Sequence, residues 1–93
     1  MNDSAEKQFT NPRNLDYSGT FTVELIDGTK TNNLPSSVTY HQGKVRVHNG
    51  RARQVMGGIQ FYSEETPFAW GYKYLRCIRD GQGKLLWLNY DYR

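Results

Sequence analysis

Residues 40–53 read YHQGKVRVHNGRAR, a run in which polar or basic residues alternate with apolar ones around a central Asn49-Gly50. Alternation of period two belongs to a half-buried strand, and Asn-Gly between two such runs is the strongest short-range hairpin signal. Folding the run back across Asn49-Gly50 sets His48 opposite Arg51, Val47 opposite Ala52, Arg46 opposite Arg53 and Val45 opposite Gln54. The pattern therefore predicts an amphipathic hairpin over 44–53. Val45, Val47 and Ala52 form its inner face, and Lys44, Arg46, His48, Arg51 and Arg53 its outer one.

The strand period continues on both sides. In TFTVELI (20–26), Phe21, Val23 and Leu25 share one face, and Asp27-Gly28 makes a tight turn. TKTNNLPSS (29–37) has almost nothing to bury and reads as a short returning edge, then a loop. A strand resumes over 36–40, with a turn at His41-Gln42-Gly43. Gly57-Gly58 ends the strand after the hairpin, and another runs over 59–63. In FAWGYKYLRCIRD (68–80), Phe68, Trp70, Tyr72, Tyr74 and Ile78 fall on one face, with Gly71 marking a bulge or bend. That aromatic stripe is expected in the core. Asp80-Gly81-Gln82-Gly83 then turns the chain into KLLWLNYDYR, which alternates to its end.

No window shows a helical period. The expectation is a single all-β domain over 18–93, an antiparallel barrel or sandwich of six or seven short strands, preceded by a polar, flexible N-terminal arm at 1–17. With 93 residues the chain is near the lower limit for building its own core, and only 37% are hydrophobic. Its thirteen aromatic rings supply the missing buried area.

The chemistry on offer is narrow. Cys77 is the only cysteine, so no intrachain disulfide forms, and no histidine accompanies it as a base. His41 and His48 have no further metal ligands at a usable spacing. Glu64 and Glu65 are adjacent, so on a strand they would point to opposite faces rather than act as an acid/base pair. No phosphate-cradling glycine motif is present. The reading is a binding domain rather than an enzyme, with no cofactor and no metal. The N-terminal MNDSAEKQFTNPRN has no apolar run, so a cytoplasmic location without membrane contact is expected.

Charge points to a partner. The formal net charge is +3, and every acid lies at or before Asp27 or at or after Glu64. Lys30, Lys44, Arg46, Arg51 and Arg53 stand between them unopposed. Like charges facing each other across a sheet cost about 0.2–1 kcal/mol per pair, which favours recruiting an anion. Internal Glu24, Glu64, Glu65 or Asp80 could supply it, as could nucleic-acid phosphates or the acidic surface of a larger protein.

Nucleic acid, whether DNA or RNA, is the leading expectation. Contacts would come from Lys44, Arg46, His48, Arg51 and Arg53, with Tyr40, Tyr62, Tyr90 and Tyr92 as exposed rings for stacking or interface contacts. A basic ribbon entering a duplex groove is another geometry for the same residues. The alternative is an inhibitor or adaptor module docking on a larger protein through its Tyr/Trp/Arg surface. Pairing of the C-terminal strand with a second copy is a third option.

Overall fold

A computed structural model describes residues 9–92, the Tyr92 side chain excepted. Seven strands run in the order β1 (Asp16–Leu25), β2 (Thr39–His41), β3 (Lys44–Val55), β4 (Gly58–Ser63), β5 (Thr66–Gly71), β6 (Leu75–Asp80) and β7 (Leu85–Leu88). Single 3-10 turns follow β5 at Tyr72–Tyr74 and β7 at Tyr90–Tyr92. All strands belong to one antiparallel sheet of order β5-β4-β3-β1-β6-β7, with β2 also paired to β3. The all-β class and the strand number expected from the alternation are both present.

The hairpin expected over 44–53 is not. Residues 44–55 form one continuous strand, and Arg46 and Arg53 lie seven positions apart along it. Arg46 stands opposite Thr22 of β1 and Thr39 of β2, while Arg53 stands opposite Asp16 of β1 and Gln60 of β4. Asn49 does take the left-handed conformation that its Asn-Gly context favours, at φ 54°. It uses it in a bulge. Gly19 pairs with Gly50 and Phe21 with Val47, so Thr20 alone faces both His48 and Asn49.

The true two-residue turns lie on either side. Gln42-Gly43, with φ 51° and 80°, joins β2 to β3, and Glu64-Glu65, with φ 50° and 66°, joins β4 to β5.

A bulge and a two-residue turn have one consequence in common: each shifts the inward-facing positions by one. Val45 and Val47 are fully buried before the bulge, and Ala52 after it. The inner and outer faces read from the sequence are therefore correct, although the connection is not.

The bulge also divides the sheet into two halves sharing β1 and β3. The first half of β3 lies between β2 and the end of β1, which continues into β6 and β7. Its second half lies between the start of β1 and β4, which continues into β5. In a flat sheet β5 and β6 would be four spacings apart, about 19 Å. Gly71 to Leu75 covers at most about 14 Å even when fully extended. The sheet must coil on itself. Its two ends are not hydrogen-bonded to each other, so it does not close.

Inside the coil, Phe61 of β4 is the central ring, 5.8 Å from Phe21, 5.5 Å from Phe68 and 5.9 Å from Trp70. Tyr72 stacks on the buried Trp87 at 5.7 Å. Of the expected aromatic stripe, Phe68, Trp70 and Tyr72 pack against the core. Tyr74 is exposed, because the 3-10 turn breaks the alternation before it.

Two further expectations are corrected. The 29–37 stretch contains no returning strand. Leu34 pack against the core together with Val38, and the Ser37 hydroxyl shares a 2.6 Å hydrogen bond with that of buried Ser63. The arm expected over 1–17 is shorter than its sequence suggests. Residues 1–8 lie outside the described part, but Leu15 is buried and Asp16 begins β1.

Gly50 is held at the corner by its neighbours, since a Cβ there would collide with the Val47 side chain and the Tyr62 carbonyl. Gly50→Ala is expected to destabilise the protein by about 2 kcal/mol or more through overpacking. Chemical denaturation monitored by tryptophan fluorescence measures this; an unchanged midpoint would mean that the corner is not close-packed.

Candidate nucleic-acid interface

All five basic residues singled out in the sequence are exposed and lie on the outer side of β3. Lys44, Arg46 and His48 precede the corner, and Arg51 and Arg53 follow it. From Lys44 to Arg53 the strand extends about 26 Å, eight steps of ~3.3 Å once the bulge is allowed for. The residues therefore form a ridge along one strand rather than a cluster around a turn.

Arg51 has an internal partner. Its Nε and Nη2 donate to the two carboxylate oxygens of Asp16 at 2.9 and 2.8 Å. The Arg51 hydrogen bond holds the Asp16 carboxyl below its ordinary range, with the charges of Arg51 and Arg53 acting in the same direction. The pair is therefore intact at neutral pH and is lost only as acid protonates Asp16 below its ordinary range.

Asp16 is not among the acids the sequence suggested, and each of those has a different place. Glu24 stands opposite Lys44 in register and lies 3.4 Å from Arg79. Asp80 organises its own turn by accepting from the backbone N–H groups of Gln82 and Lys84. Glu64 and Glu65 form the β4–β5 turn. Among the described residues, Lys44, Arg46 and Arg53 make no ion pair.

Asp16 could have been found from sequence. Leu15, Tyr17, Phe21, Val23 and Leu25 all fall on odd positions, so the alternation of β1 begins before Gly19 and places Asp16 on the outer face.

The tyrosines separate. Tyr62 is half-buried beside Arg51 in register, and its hydroxyl donates to Gln60 Oε1 at 3.0 Å. Tyr40 is exposed on β2 opposite Val45. Tyr90 lies beyond β7, away from the ridge, and its hydroxyl donates to the Phe9 carbonyl at 2.6 Å while accepting from the Asn11 N–H. The Tyr92 side chain lies outside the described part.

An open groove lies over the corner. Asn49 and Arg51 of β3 wall it together with Tyr62, and Glu64 and Glu65 form its rim. Gly19 and Gly50 line it with backbone alone. Nothing in the sequence pattern announces this groove, because residues 18–19, 49–51 and 62–65 meet only through the bulge and the β4–β5 turn.

Each end strand carries a local obstacle to strand addition. Asn11 substitutes for a neighbouring strand at β7: its Nδ2 donates to the Leu88 carbonyl at 2.7 Å, and its Oδ1 accepts from the Leu88 N–H at 2.8 Å. After Leu88 the chain leaves the strand conformation, so the alternation of KLLWLNYDYR does not continue as an open edge. At β5, Ser63 and Thr66 flank a two-residue turn, which makes the next pair, Tyr62 and Pro67, a non-hydrogen-bonded one. The Pro67 nitrogen then faces outward, where proline costs the ladder nothing.

Among the described residues, no group of three His, Cys, Asp or Glu side chains is placed to hold a metal, and no helix is long and apolar enough to cross a membrane. No family model matches the sequence, and no curated protein or solved structure is detectably similar to it.

Cys77 is buried on β6, and burial, reinforced by the nearby Glu24 charge, pushes its thiol up to about 12. The thiolate is the reactive form, so Cys77 of the native protein is expected to resist iodoacetamide at pH 8. In denaturant it should alkylate fully. Rapid native labelling, followed by mass spectrometry, would contradict this placement.

Proposed function

We propose that this protein binds single-stranded nucleic acid along the outer ridge of β3. The observation that supports this is the arrangement of Lys44, Arg46, His48, Arg51 and Arg53 on the exposed side of a single strand, where Arg51 makes the one close ion pair found among them within the described residues. A linear row of cations favours a linear polyanion whose phosphates can follow it. Tyr62, opposite Arg51 on the outer face, offers a ring for stacking beside the row. Tyr40 stands opposite inward-facing Val45 and so belongs to the other side of the sheet.

A free two-stranded ribbon would suit a duplex groove, but β3 has neighbours on both sides. A flexible single strand can instead follow the bend at the corner. Arg51 serves mainly to fix Asp16 and the corner. Lys44, Arg46 and Arg53 carry the electrostatic contact.

Three phosphate contacts give a log–log salt slope of about −2 for a single strand. Arg46→Glu with Arg53→Glu is expected to abolish binding of a labelled oligonucleotide in a gel-shift titration at low salt. Both side chains are exposed, so the circular dichroism spectrum and melting curve should be retained. Equal affinity of the folded double variant and the parent would overturn the reading.

A further inference from the structure

We infer that the groove over the corner is a base-selective subsite that accepts guanine from the strand lying on the β3 ridge. This rests on the nucleic-acid reading and adds a specificity to it. The groove is more acidic than the ridge. Two carboxylates, Glu64 and Glu65, line it with Tyr62, Asn49 and Arg51, and the Arg51 charge is already matched by Asp16.

Carboxylates repel phosphate, so the sugar-phosphate backbone does not enter here. What enters must bring hydrogen-bond donors and a flat face. The cations on either side, Lys44 and Arg46 before the corner and Arg53 after it, disfavour a cationic peptide. A donor-bearing group attached to a polyanion satisfies both conditions, and a nucleobase is such a group.

Among the bases, guanine presents two adjacent donors, N1–H and the 2-amino group, on its Watson–Crick edge. Together they match the two oxygens of one carboxylate. Cytosine and adenine each place a ring-nitrogen acceptor beside their amino group. Thymine and uracil place a single N–H between two carbonyls, which a carboxylate repels. Single-stranded bases are read on this edge while stacked on an aromatic ring, and Tyr62 supplies the ring. Its hydroxyl proton is committed to Gln60, which steadies the ring.

The test compares three fluorescein-labelled DNA nonamers by anisotropy: all-thymidine, the same with one central deoxyguanosine, and the same with deoxyinosine, which keeps N1–H but lacks the 2-amino group. The deoxyguanosine nonamer is expected to bind about tenfold more tightly than the thymidine one, the size of a bidentate base contact. Deoxyinosine should lose most of that gain. In the Glu64→Gln/Glu65→Gln variant, whose melting curve confirms folding, the preference should disappear while affinity for the thymidine nonamer is kept or improved.

Equal binding of all three nonamers to the parent protein overturns the guanine subsite and leaves the ridge standing. A preference that persists in the folded double variant overturns the assignment to this groove. Failure of every nonamer to bind at low salt overturns the nucleic-acid reading, and the subsite with it. Binding of an arginine-rich peptide in place of the nonamers does the same.

Discussion

One extra residue on β3 governs the molecule. Where Thr20 of β1 faces both His48 and Asn49, the ladder has two positions on one side against one on the other. The discontinuity switches the inward positions from Val45 and Val47 to Ala52 and places the bend between the two halves of the sheet. Without the switch, Arg51 and Arg53 would be directed at the core, and burying unpaired guanidinium groups is prohibitive. With it, a single strand contributes to the hydrophobic interior along its whole length and keeps every one of its cations outside. Gly19 and Gly50, paired at the corner, leave room for the bend.

Around that corner the structure trades stability for surface chemistry in at least one place. The β4–β5 turn puts Glu64 and Glu65 in left-handed conformations, at φ 50° and 66°. Asn-Gly or Gly-Gly would occupy such a turn more comfortably, and each non-glycine residue there costs roughly 1 kcal/mol. The same turn projects two carboxylates onto the rim of the groove beside a cationic ridge. Elsewhere the architecture is conservative. Asn11 closes the backbone of β7, Pro67 blunts β5, and β2 is only three residues long, so the open sheet offers no long free edge for another chain.

Much of this was legible in the sequence because alternation reports faces directly. The inward sets Phe21/Val23/Leu25 and Val45/Val47/Ala52, the exposure of the five basic residues and the all-β class all follow from period two. Connectivity did not follow, because Asn49-Gly50 satisfies two different structures equally well. A turn and a bulge both require a left-handed Asn and both shift the face by one residue. Which one forms is settled by long-range pairing: β1 runs alongside β3 from Lys44 to Arg53 and keeps it one strand where a hairpin would fold it back. Asp16 was less conspicuous, since the polar residues before Thr20 resemble an arm although the odd-position alternation of β1 continues through them. The core role of Leu34 and Val38 has no periodic signal at all, because a loop buries residues singly.

The distance between positions 46 and 53 tests the central claim most directly. Nitroxide labels on Arg46→Cys/Arg53→Cys, read by pulsed and continuous-wave electron paramagnetic resonance, report it in solution, with buried Cys77 left unlabelled. A continuous strand with one bulge predicts a separation of about 20 Å, from seven steps of ~3.3 Å less the bulge. Strong dipolar broadening from residues facing each other at about 5 Å would restore the hairpin and contradict the bulge, the corner and the ridge together.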